Sequence, residues 1–319
     1  MTRDESLYLF EKNDHSEGHK LMSAGSDEPE PAPRSSARRG SVSVFAPGRP
    51  RSDLPVVLEQ STGRELMIDA RSFAAPNPSR VWESLTRFRP DPDFLAGNGL
   101  FLDAEQHEGT RYFDMLRTRI AQAMAKEGWR SLAVTSPSQG CGKSFLAANL
   151  ALALARLPSC RTVLMDLSLR EPQLAGLFGL RDAGPLADYM HGEQPLEAHF
   201  RRLGNNLALA LNGAPVARAA ESLQDPEFAT AFEEMFSRLQ PDMVICDTGP
   251  SLTSDDLVSL AGRVDAVLLV VDGTRSTAEE IAACERLFEG RLPLLAVVLN
   301  RSQDRRSWLR FSGRKSLHN

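Results

Sequence analysis

The chain has 319 residues, 42% of them apolar, enough for a sizeable buried core in one or two domains. A formal charge of −5 over this length excludes a protein that coats nucleic acid, so no nucleic-acid partner is expected. Four scattered cysteines, Cys141, Cys160, Cys246 and Cys284, form no C-x-x-C pair, which argues against a zinc site or disulfide framework and for reduced thiols.

The first residues, MTRDESLYLFEKND, carry acids early and lack a continuous apolar segment, so they do not read as a secretory signal. Half of the 20 prolines fall in the first hundred residues, alongside the Ser-, Gly- and Arg-rich run EPEPAPRSSARRGSVSVFAPGRPRS. Residues 1–102 are therefore expected to be largely disordered or linker-like, and a folded unit is expected over residues 103–302. At its start, EGTRYFDMLRTRIAQAMAKEGW has helical spacing, with Tyr112, Met115, Leu116, Ile120 and Ala123 on one apolar face.

From Arg130 onward, short apolar runs alternate with helical patterns. SLAVTS (131–136) reads as a strand, and Phe145 to Leu157 as an Ala- and Leu-rich helix stopped by Pro158. Further strand candidates are TVLMDL (162–167), LALAL (207–211), MVICDT (243–248), AVLLVVD (266–272) and LLAVVLN (294–300). Their continuous apolar character, without alternation, predicts a parallel sheet covered on both faces, a doubly wound α/β fold. The longest uncharged apolar run, residues 145–155, falls short of the roughly 20 residues a membrane-spanning helix needs, and a cytoplasmic location is expected.

Between strand and helix lies SPSQGCGKS (136–144). It ends like a phosphate-binding loop in Gly142-Lys143-Ser144, yet Pro137 stands where G-x-x-x-x-G-K-[ST] wants its first glycine. Such a loop works because small residues let successive backbone N–H groups turn inward, and the following helix points its positive end at the phosphates. Gly140 and Gly142 suit that role; Lys143 would reach the β- and γ-phosphates of ATP or ADP, and the Ser144 hydroxyl would bind Mg²⁺. Gln139, Cys141 and Phe145 complete the expected nucleotide-binding segment. Asp166 and Asp247 each end a predicted strand at the carboxyl edge, where acids order a metal and its waters and assist removal of a proton. Lys143, Asp166 and Asp247 are the expected catalytic residues, and Ser144, Asp166 and Asp247 the expected metal-side residues. His107, His191 and His199 have no metal-ligand spacing.

Cys141 leaves two readings open: a small residue that fits the loop, or a thiol beside a lysine whose oxidation would block phosphate binding. The tail from Arg301 has six Lys or Arg against one acid, interleaved with Trp308, Leu309 and Phe311. It could contact an anionic membrane surface or an acidic partner, or be a solvated terminus.

SLAVTSPSQGCGKSFLAANLALALA, VLMDLSLREP, PDMVICDTGPSLTSDD, and DAVLLVVDG with VVLNR resemble the successive motifs of the bacterial tyrosine kinase (BY-kinase) family. That family lies within the MinD/ParA group of P-loop ATPases and works in capsule and exopolysaccharide production. Its loop does not require the first glycine. The resemblance implies ATP- and Mg²⁺-dependent phosphoryl transfer or ATP hydrolysis, Asn300 reading the adenine edge, and Arg170 and Pro172 closing the D-x-D-x-R-x-P segment that begins at Asp166. It implies, as partner, a membrane-embedded polysaccharide co-polymerase with an activating cytoplasmic segment, and allows a homo-oligomer.

Departures stand beside these matches. Ser168 replaces the second aspartate of D-x-D, Cys141 the usual loop glutamate and Gly249 the first proline of D-T-P-P. Ser138 stands where MinD/ParA proteins carry a signature lysine, which disfavours a cell-positioning ATPase. The leading helix reads Arg111, Asp114, Arg117 where the family shows E-x-x-R-x-x-R, a motif of ring assembly. Tyrosines occur only at positions 8, 112 and 189, so a C-terminal acceptor cluster is not expected. A nucleotide-sensing adaptor without phosphoryl transfer to protein is the alternative reading.

Overall fold

A computed structural model describes residues 6–11, 57–58, 66–67, 77–102 and 109–302. Its strands are β1 (Ser6–Glu11), β2 (Val57–Leu58), β3 (Leu66–Met67), β4 (Thr86–Phe88), β5 (Ser131–Thr135), β6 (Thr162–Leu167), β7 (Arg201–Leu203), β8 (Leu207–Ala210), β9 (Met243–Thr248), β10 (Ala266–Asp272) and β11 (Leu294–Ser302). The chain divides into two units: Met1–Lys12 with Pro76–Asn319, and Asn13–Ala75. In the second, β2 and β3 pair antiparallel, Val57 opposite Met67 and Leu58 opposite Leu66.

The first unit carries a nine-stranded sheet in the order β1-β11-β10-β5-β9-β6-β8-β7-β4. From β11 through β8 every neighbouring pair is parallel, as the sequence predicted. Antiparallel pairing enters through β1 with β11 and β7 with β8. The strands are apolar throughout because alternate residues feed two different cores. Val163, Met165, Val244, Cys246, Val267 and Leu269 pack on one face with the helices Pro226–Leu239 and Ala278–Phe288. Leu164, Ile245, Leu268 and Val270 pack on the other, with the helices Gly109–Glu127 and Lys143–Ala155. The chain leaves β5 toward β6 on one side and returns to β10 on the other, so β5 ends at the topological switch point where such sheets bind ligands.

Two expectations need correction. Folded structure in this unit begins earlier than residue 103. Asn77 and Asp91 cap the helices Pro78–Ser84 and Pro92–Gly97 by accepting from Ser79 N and Asp93 N, and proline opens each helix. Two of the prolines counted toward a linker are therefore helix starts. Trp82 is buried and its indole N–H donates to Leu239 O at 2.7 Å, Leu95 is fully buried, and β4 joins the sheet beside β7. Second, the leading helix Gly109–Glu127 buries Phe113, Leu116, Ile120 and Met124, while Met115 is 55% exposed and Tyr112 and Ala123 are half-buried. The buried stripe keeps Leu116 and Ile120 of the predicted face and is rotated toward Phe113 and Met124. The N-terminal run and the tail beyond Ser302, with Ser307, Ser312 and Ser316, lie outside the described residues, as does His107.

Candidate functional site

The loop after β5 turns on two glycines in the left-handed region, Gly140 at φ 77° and Gly142 at φ 93°. Gly142 is doubly required, since a Cβ there would lie 2.2 Å from Asn300 Nδ2. The loop is tied down from several sides. Asn300 Nδ2 donates to Cys141 O at 2.9 Å, and Arg301 donates to Gly140 O at 2.7 Å and to Asp272 Oδ2 at 2.8 Å. Within it, Ser136 Oγ donates to Ser138 O at 2.7 Å, and Ser251 N donates to Ser136 O at 2.8 Å. Pro137 thus sits in a segment fixed by these bonds, where the turn at a first glycine is not needed. The helix starts at Lys143, two residues before the predicted Phe145, directly behind Gly142. It ends at Ala155, ahead of Pro158, which disfavours helical geometry in the residue before it.

Gln139, Gly140, Gly142, Lys143, Ser144 and Phe145 line a cavity of about 600 Å³, within the range of small-ligand sites. Cys141 turns the other way: its thiol is buried and donates to Ser138 O at 3.2 Å, bracing the loop from behind. Asn300 is not in the cavity wall. It is buried, with Nδ2 on the loop and Oδ1 accepting from Arg301 N, so the residue expected at the adenine edge holds the loop in this structure.

Asp166 and Asp247 are Cα partners across β6 and β9, and both side chains are fully buried. Asp166 Oδ2 accepts from Leu174 N at 3.1 Å. Asp166 Oδ1, both Asp247 oxygens and the Ser144 hydroxyl are buried without a hydrogen bond of good geometry, although the Ser144 hydroxyl lies close enough to Asp247 to favour its charged form. Burial, and then the charge of Asp247, push the Asp166 carboxyl well above the usual carboxylate range. Burial also raises Asp247, against the pull of the Lys143 ammonium and of the Ser144 hydroxyl. Two adjacent buried acids and a buried lysine, with most of their oxygens unsatisfied, are costly unless a cation or phosphate completes them. No cluster of three or more His, Cys, Asp or Glu side chains suited to a metal occurs among the described residues. A hard cation here would take Ser144, the two aspartates and non-protein oxygens, the donor set Mg²⁺ prefers.

The departures also have structural readings. Ser168 is buried and its hydroxyl donates to Glu171 O at 3.2 Å. Asp114 pairs within the chain, with Arg117 at 3.1 Å and Arg156 at 2.6 Å. Sequence reasoning missed Asp256, which is buried in the cavity wall, and Asp272, which anchors Arg301. Asp272 was discoverable as a third strand-end aspartate in AVLLVVD. Asp256 was masked by Asp255, because paired acids at a helix start read as ordinary dipole complement.

Fold and loop together define a P-loop NTPase-type domain whose phosphate loop stands at the switch point of a doubly wound sheet. Proteins similar to it in sequence include bacterial tyrosine-protein kinases. The chain is 32% identical over 187 residues to the putative tyrosine-protein kinase EpsB of Ralstonia nicotianae, covering 58% of this chain and 24% of the relative. It is 26% identical over 191 residues to the putative tyrosine-protein kinase CapB of Staphylococcus aureus, covering 59% and 82%. Among solved structures, the kinase domain of the Escherichia coli tyrosine kinase ETK aligns with a TM-score of 0.60 at 24% identity, over 69% of this chain and 84% of that one. The stretch matched in EpsB is thus about a quarter of that protein's length. No protein-family model matches the chain.

Proposed function

We propose that the chain binds ATP with Mg²⁺ and serves exopolysaccharide or capsule synthesis as a kinase-like domain, by phosphoryl transfer or ATP hydrolysis. The observation that carries this reading is the set of buried, unsatisfied oxygens of Ser144, Asp166 and Asp247 set around Lys143 behind a glycine loop. Gln139 through Phe145 cradle the phosphates, and Lys143 neutralises the outer oxygens. Mg²⁺, when bound, shields the charge of the transferred group. Ser144, Asp166 and Asp247 orient its inner side, and a carboxyl raised above its usual range can take the proton of an attacking hydroxyl or water. The names of the relatives support the kinase class.

Among the described residues no helix is long and apolar enough to cross a membrane. A membrane-embedded polysaccharide co-polymerase with a cytoplasmic activating segment is the proposed partner, with the domain on the cytoplasmic side; a homo-oligomer and a contact of the basic tail with the membrane surface belong to the same proposal. Two observations favour the adaptor reading. Ser168 supplies only a hydroxyl bonded to Glu171 O, and Tyr189, one of three tyrosines, is buried with its hydroxyl donating to Ala231 O at 2.6 Å.

Purified protein incubated with γ-labelled ATP and Mg²⁺ decides between the two, with free phosphate and protein-bound label followed in parallel. Kinase or ATPase action predicts label or phosphate release that disappears in Lys143→Ala. Nucleotide binding with neither product would establish the adaptor.

A further inference from the structure

The short strand β7 holds two arginines in different settings. Arg201 is supplied with acceptors: its Nη1 donates to Ala198 O at 2.8 Å and to His199 O at 3.1 Å, and its Nη2 stands 4.0 Å from Asp182 Oδ2. Arg202 is 6% exposed, its Nε is buried without a hydrogen-bond partner, and no carboxylate pairs with it among the described residues. A cation withdrawn from water to this extent lacks the compensation such a charge needs.

The neighbouring strand adds charge of the same sign. β4 is the last strand of the sheet and runs parallel to β7, with Arg87 the Cα partner of Arg202. Register partners of a parallel pair share a face, and the next pair along, Phe88 with Leu203, packs into the core beside the helix Lys143–Ala155. Arg87 and Arg202 therefore stand side by side on the opposite face, in line with Ala208 of β8 and Val163 of β6. Arg87 is exposed, and it too has no acid paired with it among the described residues. Like charges set directly across neighbouring strands repel. An anion between them reverses the sign of that interaction, and two guanidiniums offer the planar, forked donors that phosphate oxygens accept from.

We infer that Arg202 and Arg87 form an anion site at the β4 edge of the sheet that takes a phosphate group, free or carried on a phosphorylated side chain. Arg202, fixed by its packing, is the preorganised half, and the exposed Arg87 closes on the ligand. Five strand spacings, about 24 Å, separate β4 from β5, so a nucleotide on the phosphate loop is not its ligand.

The test follows the Tm of the full chain as inorganic phosphate, O-phosphotyrosine or tyrosine is added, with ionic strength held constant by NaCl. Phosphate or phosphotyrosine at about ten times its Kd is expected to raise Tm by about 3–5 °C, and tyrosine to leave it unchanged. Arg202→Gln is expected to abolish the rise. Arg87→Gln, an exposed substitution on which the fold does not rest, is expected to weaken the affinity about tenfold and keeps the test decisive if Arg202→Gln does not fold. The rise should persist in Lys143→Ala, which separates this site from the phosphate loop. A larger rise with phosphotyrosine than with phosphate at equal concentration identifies a phosphorylated side chain as the ligand, and the reverse identifies free phosphate. No rise in wild type, an undiminished rise in Arg87→Gln, or a rise that disappears in Lys143→Ala overturns the inference.

Discussion

Replacing Asp247 by Asn should make the ligand-free chain more stable while impairing the site. Asp247 is fully buried, neither of its oxygens has a hydrogen bond of good geometry beyond the nearby Ser144 hydroxyl, and Asp166 stands opposite it in register. Withdrawing an ion from water costs several kcal/mol, of which Lys143 offsets part, and an amide of the same shape avoids that cost and can donate to Asp166. A gain of about 1–3 kcal/mol follows, or about 2–10 °C in Tm for a domain of this size. The pH dependence has a definite sign. Because the folded-state pKa is raised above the ordinary 3.8, the folded state holds the extra proton at low pH, and wild-type stability falls as pH rises through the window above 3.8. The variant's advantage should therefore be small near pH 4 and largest near pH 8. Thermal unfolding across that range, without nucleotide or metal, measures it. With Mg²⁺ and ADP the order should narrow or reverse, because the ligand stabilises only the protein that binds it. A variant that melts at or below wild type near pH 8 without ligand would refute the reasoning.

Trp82→Ala removes a buried indole and its hydrogen bond to Leu239 O, and should cost about 3–5 kcal/mol in denaturant unfolding; a loss under about 1 kcal/mol would mean that residues 77–102 do not support the core. Gly142→Ala combines about 1–2 kcal/mol of left-handed strain with a Cβ 2.2 Å from Asn300 Nδ2, so nucleotide affinity should fall at least about tenfold with the far-ultraviolet circular dichroism unchanged. Burial lowers the pKa of His199 below its ordinary 6.5, so its contribution is present above that value and lost as pH falls through the lowered one. His199→Gln should flatten the decline of Tm below about pH 6.5, and an unaltered acid limb would contradict this.

The parallel centre of the sheet was legible because strands buried on both faces leave uninterrupted apolar runs such as AVLLVVD. The three-residue strands β4 (TRF) and β7 (RRL) were not, because they carry arginines and lie toward the sheet edge. Gly-Lys-Ser between strand and helix announced the loop, and Asp166 and Asp247 announced themselves as strand-end acids. Asn300 and Arg301 reach Cys141 and Gly140 from 159 and 161 positions away, and Asp272 braces the loop through Arg301, contacts that no local pattern carries. Asp256 stands in the cavity wall, yet as one of two adjacent acids at a helix start it has the pattern of an ordinary complement to the helix dipole.

The central claim is that the loop and its buried acids form an Mg²⁺-dependent nucleotide site. Calorimetric titration of ATP into the full chain, with Mg²⁺ and with EDTA, tests it most directly when run beside Lys143→Ala. The account predicts saturable binding that strengthens with Mg²⁺ and is lost in the variant; equal heats in wild type and Lys143→Ala would contradict it.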